Sequence, residues 1–234
     1  MKQQQTNGQS NIEHQNTPDA LKVARSNGAY LLNPSGDLKN TQRNFEQSLE
    51  ALPGWEGLVE QKPQESDFKS YIADKSTFLY FGHGSGGQYI RSRTVKKLER
   101  CAVTILMGCS SGLMNEVGEY EAYGPPLDYM QAGSPALLAN LWDVTDKDID
   151  RFTQSVLEKW GLFHKHQEPA LSSPVKRKGK GKFRAKSPVV ADVHENDEQP
   201  VSLDIAVARS RSQCILKYLN GAAPVIYGIP VCLD

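Results

Sequence analysis

The stretch CAVTILMGC, residues 101–109, is a near-continuous apolar run rich in β-branched residues. Such a run is typical of a central parallel strand that helices cover on both faces. An earlier apolar run, STFLYFGHG at residues 76–84, is separated from it by SRTVKKLER, which predicts a short helix. Together they predict a strand–helix–strand unit of an α/β fold.

The same alternation of strands and helices continues on both sides of this unit. Further strands are predicted for GAYLLNP (28–34), GLVEQKP (57–63), PALLANLWDV (135–144) and APVIYGIPV (223–231). Helices are predicted around Phe45, Leu49 and Leu52, and over residues 65–75, 125–132, 145–162 and 202–219. The predicted fold class is therefore α/β, with a mostly parallel central sheet and helices on both of its faces.

The composition limits what the chain is expected to bind. Lys+Arg and Asp+Glu number 27 each among 234 residues, so no net field draws the chain to nucleic acid or to a membrane. The four cysteines show no metal-ligand spacing, and no metal or cofactor is predicted. No apolar run approaches the roughly 18 residues of a spanning helix. We expect a soluble intracellular protein with free thiols.

Two segments lack the apolar content that a folded domain requires. Residues 1–18 are rich in Gln and Asn, and we predict a disordered tail there. Seven basic residues lie between Lys176 and Lys186 and are followed by acids, which predicts a disordered charged insertion at about 165–200. The remainder, residues 19–234, is predicted to form one domain that carries this insertion.

The ends of two predicted strands carry a histidine and a cysteine. His83 follows the first strand and Cys109 the second, 26 residues later, which is one strand–helix–strand step. Because functional residues of parallel sheets lie at the carboxyl ends of strands, the two side chains are predicted to share one edge. A thiol beside an imidazole is a potential nucleophile. The backbone N–H groups of Gly84 and Cys109 are candidates for an oxyanion hole.

Other interpretations of the same residues remain open. Taken singly, His83 fits a hydrogen-bonded loop histidine and Cys109 a buried core thiol. Gly82-x-Gly84-x-x-Gly87 matches a dinucleotide-binding pattern but follows a later strand and lacks the expected acid. Gly108-Cys109-Ser110-Ser111-Gly112 matches the serine-hydrolase pattern with Ser110 as nucleophile, but downstream histidines occur only at or inside the charged insertion.

The end of a third strand supplies candidate specificity residues. The segment NLWDVTDKDID brings an aromatic ring and several carboxylates close to the predicted cleft. A carboxylate beside an aromatic face selects arginine or lysine through charge-assisted hydrogen bonds and a cation–π contact. The candidates for this pocket are Asp143 first, Asp146 second and Asp150 third, with Trp142 as the aromatic face, whereas Asp148 is assigned to capping of a helix.

Five blocks of this sequence closely resemble the C-terminal protease domain of separase, a caspase-like cysteine endopeptidase. In order they are YLLNPSGDLKNTQRNF, YFGHGSGGQYI, TILMGCSSGLM, ANLWDVTDKDIDRF and LKYLNGAAPVIYGIPV. The resemblance runs from about Tyr30 to Val231 and is interrupted by the charged insertion. It implies a caspase-type α/β/α sandwich with a His83–Cys109 dyad and oxyanion donors at Gly84 and Cys109.

The resemblance also implies a biological role. The substrate would be the kleisin subunit of cohesin, cut after arginine in a Glu-x-x-Arg context to release sister chromatids at anaphase. Securin would inhibit by occupying the same cleft. The protein would act in the nucleus and cytoplasm, and at the spindle in mitosis. A second hypothesis is a protease-like module that holds securin or cohesin without cutting.

Two departures from the family pattern are expected to matter differently. Separases carry a long helical N-terminal region that this sequence does not show, so we expect the chain to be a fragment. Ser134 stands where a cysteine is expected in relatives, and this exchange is predicted not to touch catalysis.

Overall fold

The computed structural model describes residues 20–164 and 200–234. The strands are β1 (Leu21–Val23), β2 (Gly28–Leu32), β3 (Trp55–Val59), β4 (Thr77–Phe81), β5 (Val103–Leu106), β6 (Asn115–Val117), β7 (Tyr120–Tyr123), β8 (Ala136–Asn140), β9 (Pro224–Gly228) and β10 (Val231–Leu233). The helices are α1 (Lys39–Glu50), α2 (Glu65–Asp74), α3 (Ser92–Val95), α4 (Pro125–Gln131), α5 (Asp146–Trp160) and α6 (Leu203–Ser210). The predictions for residues 1–18 and for the charged insertion fall almost entirely outside the described residues.

The central sheet has six strands in the order β3-β2-β4-β5-β8-β9. Its neighbours pair in parallel except for β9, which runs antiparallel to β8 at one edge. β4 and β5 are central and fully buried, in keeping with their apolar sequences. Two small sheets, β1–β10 and β6–β7, lie outside it.

Helices cover both faces of this sheet. On one face α1, α5 and α6 bury side chains such as Phe45, Phe152 and Val207 in one apolar cluster. On the other face α2, α3 and α4 contribute side chains such as Phe68 and Tyr129 to a second cluster. The arrangement is a three-layer α/β/α sandwich with a mostly parallel sheet, and the fold-class prediction is confirmed.

Helix α5 has the amphipathic pattern that its sequence predicts. Ile149, Phe152, Val156 and Trp160 recur at helical spacing, and all four are buried against the sheet. The helix ends at Gly161, whose φ of +89° is the left-handed conformation that glycine adopts without steric cost.

The segment at residues 202–219 differs from its prediction as one long helix. Helix α6 ends at Ser210, and a 3-10 turn, Arg211–Gln213, follows it. The buried Asp148 carboxylate accepts hydrogen bonds from the backbone N–H groups of Ile215 (3.0 Å) and Leu216 (2.9 Å). Because this carboxylate offers the backbone an alternative to helical hydrogen bonds, the chain turns there. Asp148 therefore anchors a distant loop, which goes beyond the predicted helix cap.

Two smaller differences concern the strands. The strand predicted at 57–63 is β3, Trp55–Val59. The β6–β7 hairpin after Cys109 was not predicted, because its strands are short and exposed. Ser134 lies just before β8, and its buried hydroxyl donates to the carbonyl of Ala102, at the opposite edge of the sheet from the strand ends that carry the candidate site.

Candidate functional site

His83 and Cys109 lie at one edge of the sheet, after the neighbouring strands β4 and β5. The two strands pair in parallel with Tyr80 opposite Leu106, so both loops leave the sheet at the same level. The side chains line one cleft together with residues from the loop after β2, from α1 and from the start of α5: Leu38, Thr41, Val144, Asp146, Ile149 and Asp150. The shared edge that the sequence predicted is the edge on which this cleft opens.

The loops that carry His83 and Cys109 touch through their backbones. A Cβ atom at Gly108 would collide with the carbonyl oxygen and the nitrogen of Gly84, so this approach requires a glycine at position 108. Gly84 itself has a φ of +58°. The Asn140 side chain donates to the Gly108 carbonyl at 3.2 Å and ties the loop after β5 to the end of β8. The two loops are therefore packed directly against each other at the mouth of the cleft.

The sulfur of Cys109 is held by the loop that follows β8. It donates to the carbonyl of Val144 at 3.2 Å and accepts from the Val144 backbone N–H at 3.4 Å. The Cys109 residue is half-buried. One face of the cleft therefore positions the thiol.

His83 is hydrogen-bonded through both its backbone and its imidazole. Its backbone carbonyl accepts a hydrogen bond of 2.8 Å from the Tyr80 hydroxyl. Its ring Nε2 lies 2.7 Å from Oδ2 of Asp37, and this hydrogen bond lowers the pKa of Asp37 below its ordinary value. Within the described part of the chain, no hydrogen bond joins His83 to Cys109. Such contacts are often long in unliganded enzymes and tighten when substrate binds.

Asp37 is the site residue that the sequence analysis missed. It follows strand β2, which is the other neighbour of β4 in the sheet. A polar residue after a third parallel strand end was the available signal, in the stretch NPSGDL.

The four candidate specificity residues separate into two groups. Asp146 and Asp150 line the cleft with Cys109, whereas Asp143 and Trp142 do not. The Asp143 carboxylate instead accepts a hydrogen bond of 2.7 Å from the Ser110 hydroxyl. The Trp142 indole N–H donates to the carbonyl of Leu219 at 3.1 Å. The structure therefore places the second and third candidate acids, but not the first, in the cleft.

Asp150 is the most unusual acid of the site. It is 6 % exposed, and it accepts hydrogen bonds from the Thr41 hydroxyl (3.0 Å) and the Asn44 amide (2.9 Å). In the described ranges no lysine, arginine or histidine nitrogen forms an ion pair with it. Burial raises its pKa to about 6 in spite of these hydrogen bonds. A buried carboxylate with neutral donors alone is a site that a ligand cation would complement.

The alternative motifs find no support in the geometry. The Ser110 hydroxyl donates to Asp143, and this contact supplies no histidine base. The glycines from Gly82 to Gly87 are followed by turns, and the next helix, α3, has only four residues.

No group of three or more potential metal ligands occurs among residues 20–164 and 200–234. Nor does any helix in these ranges have the length and apolar character to cross a membrane.

Comparison with known proteins agrees with the resemblance of the five blocks. The family model "Separin, protease domain" matches residues 1–149. Separin of Emericella nidulans is 55 % identical over 214 residues, which are 90 % of this chain and 9 % of that protein. Separin of Saccharomyces cerevisiae is 37 % identical over 209 residues, 88 % of this chain and 11 % of that protein.

The fold also matches a solved structure. The crystal structure of the Saccharomyces cerevisiae separase–securin complex at 2.6 Å resolution superposes with a TM-score of 0.73 at 35 % sequence identity. That match covers 92 % of this chain and 13 % of the other chain. The chain thus spans about a tenth of the length of the curated relatives it matches.

Proposed function

The chain belongs to the separin protease-domain family, and on this premise we propose that it is a cysteine endopeptidase that cleaves after arginine. The observation that carries the proposal is the cleft shared by His83 and Cys109 at adjoining strand ends. A nucleophile and a base that converge on one cleft are the minimum machinery of covalent peptide hydrolysis.

In the proposed reaction Cys109 Sγ passes its proton to His83 and forms a C–S bond to the carbonyl carbon of the scissile peptide. The carbonyl oxygen becomes an oxyanion, which the backbone N–H groups of Gly84 and Cys109 stabilise. His83 returns the proton to the leaving amine as the C–N bond breaks, which leaves a thioester on Cys109. Water then attacks the thioester with His83 as base, and the acid product and the free thiol are released.

Asp150 is the proposed partner of the substrate arginine. Its buried carboxylate has neutral hydrogen-bond donors and no cation, and a guanidinium would supply the missing charge. Asp146, at the exposed rim of the same cleft, adds a second negative charge. Asp143 and Trp142 would contact substrate only outside this cavity.

The cleft must widen to admit an arginine side chain. Its cavity volume is about 20 Å³, which is room for roughly one water molecule. Binding would therefore displace side chains at the rim. Rearrangement of this kind is common at interfaces that form on binding.

The substrate that we propose is the cohesin kleisin subunit, cut in a Glu-x-x-Arg context at anaphase in the nucleus, the cytoplasm and the spindle. Securin is the proposed inhibitor of the same cleft. The support for securin is the likeness to the solved separase–securin complexes of Saccharomyces cerevisiae. The support for the kleisin is family membership together with the buried acid of the cleft.

The test is cleavage of peptides that contain Glu-x-x-Arg, with products identified by mass spectrometry. We expect cleavage after arginine that is lost in Cys109→Ser and in His83→Ala. Cys232→Ser is the matched control, since Cys232 is also a half-buried free cysteine but lies in β10, away from the cleft. Cleavage that survives Cys109→Ser would overturn the proposal.

The small cavity favours one alternative, a module that binds securin or cohesin without cutting. In that case the chain, shown to be folded by its cooperative unfolding, would bind a securin peptide but cleave no arginine peptide. Cys109 would then react with an affinity label no faster than Cys232.

A further inference from the structure

The imidazole of His83 forms a short hydrogen bond with the carboxylate of Asp37. Oδ2 of Asp37 lies 2.7 Å from Nε2 of His83, across 46 residues of sequence. An ionised carboxylate only accepts hydrogen bonds, so Nε2 must carry the proton. In the neutral ring the other nitrogen, Nδ1, is then the basic one.

The loop that carries Asp37 is anchored on both sides of this contact. The Asn33 backbone N–H donates to the carbonyl of Phe81 at 2.9 Å, next to the His83 loop. The Asn33 side chain accepts from the Leu38 N–H at 2.8 Å, so it brackets Asp37 from the far side. The Ser35 and Tyr89 hydroxyls, 3.1 Å apart, join the loop to the segment after His83. Hydrogen bonds therefore anchor the loop that carries Asp37 to the segments on either side of His83.

We infer that Asp37 is a positioning residue of the reaction: its carboxylate holds the His83 ring in the tautomer and orientation that direct Nδ1 to the thiol and to the leaving amine. The inference deepens the proposed function and rests on it. The predicted machinery thus becomes a chain of three groups, Asp37, His83 and Cys109.

Other charged groups around His83 do not take this role. Asp146 and Asp150 line the same cleft, and Asp150 accepts hydrogen bonds from Thr41 and Asn44. Neither acid forms a hydrogen bond with His83 in the part of the chain that the structure describes. Asp37 is the carboxylate that contacts the ring.

The exposure of the pair separates positioning from a role in folding. The side chains of His83 and Asp37 are 54 % and 58 % exposed. Exposed ion pairs contribute little to stability. Loss of the Asp37 carboxylate should therefore change activity while the protein stays folded.

The experiment compares Asp37→Asn, Asp37→Ala and Asp37→Glu in the arginine-peptide assay. In the Asp37→Asn and Asp37→Ala variants we expect kcat to fall about 10- to 100-fold with KM little changed, because only part of the acid–base catalysis is lost. The dependence of kcat/KM on pH should change in the Asn and Ala variants, because the charge that contacts the imidazole is removed. The Glu variant, which keeps the charge, should recover part of the activity.

A matched control is Glu60→Gln, which removes another exposed, paired carboxylate, the partner of Lys39. It should leave both kcat and the pH profile unchanged. The midpoint temperature of thermal unfolding, Tm, of every variant should lie within about 2 °C of that of the parent chain.

Two results would overturn the inference. A rise in KM at unchanged kcat, with loss of the preference for arginine over lysine, would make Asp37 a substrate-binding residue. A pH profile that does not move in Asp37→Asn would remove its effect on the ring.

A separate readout keeps this inference distinguishable from the proposed function. The rate at which iodoacetamide alkylates Cys109 can be followed against pH without any peptide cleavage. If the chain cuts no peptide, a change of this profile in Asp37→Asn that Glu60→Gln lacks would still support the Asp37–His83–Cys109 chain, and its absence would refute it.

Discussion

Substitution of Asp150 by asparagine should stabilise the fold and weaken the selection of arginine. Burial raises the pKa of Asp150 from the ordinary 3.8 to about 6, and repulsion from Asp146 adds to the effect. At 1.36 kcal/mol per pH unit, holding the charged form at neutral pH costs about 3 kcal/mol. Asparagine removes this cost. It keeps only one acceptor oxygen for Thr41 and Asn44, which forfeits about 1–2 kcal/mol.

The net expectation for Asp150→Asn is a gain of about 1–2 kcal/mol in the free energy of unfolding at pH 7. The sign depends on pH. A carboxyl whose folded pKa lies above its unfolded value binds its proton more tightly in the folded state, so its contribution to stability falls as pH rises from about 4 to about 6. Below pH 4 the parent Asp150 is already neutral, and the variant should be slightly less stable than the parent.

Urea unfolding at pH 4 and pH 7 measures the stability difference, and competition between arginine and lysine peptides measures selectivity. Asp143→Asn is the control, because Asp143 lies outside the cleft and its carboxylate binds Ser110. The reasoning fails if Asp150→Asn destabilises the chain more at pH 7 than at pH 4. It also fails for the arginine pocket if selectivity is lost in Asp143→Asn and kept in Asp150→Asn.

Two further predictions test the reactivity and the geometry of the site. In thiol labelling, Cys109 should react well before Cys101 and Cys214, because burial raises the pKa of those two thiols to about 12 and about 11. Peptide mapping that finds Cys101 or Cys214 modified first would contradict this prediction. In the peptide-cleavage assay, Gly108→Ala should reduce kcat more than about tenfold, because the new methyl group would push the Gly84 backbone out of place. Gly87→Ala is the control and should retain activity, because its methyl group would meet only the Ser85 hydroxyl at 3.6 Å.

The turn after α6 shows that a hydrophobic pattern along the sequence is insufficient to predict where a helix ends. The segment from Cys214 to Leu219 has a helical pattern, yet the carboxylate of Asp148, 67 residues before Ile215, binds the backbone N–H groups of Ile215 and Leu216 in place of helical hydrogen bonds. That turn leaves apolar side chains such as Tyr218 in solvent, at 98 % exposure. Hydrogen bonds between distant residues decided the outcome, and local propensity carries no information about them.

By itself the sequence determined the class of fold and the positions of His83 and Cys109. A short apolar run rich in β-branched residues is typical of a covered parallel strand, and parallel strands bring their carboxyl ends to one edge, so the sequence could place both residues at that edge. Only the tertiary structure decided which carboxylates lie in the cleft or contact the imidazole. Asp37 reaches His83 from another strand end, and Asp150 is buried while Asp143 turns to Ser110. The charge and solvation of a carboxylate depend on atoms that surround it in space, and those atoms come from parts of the chain that no local spacing relates.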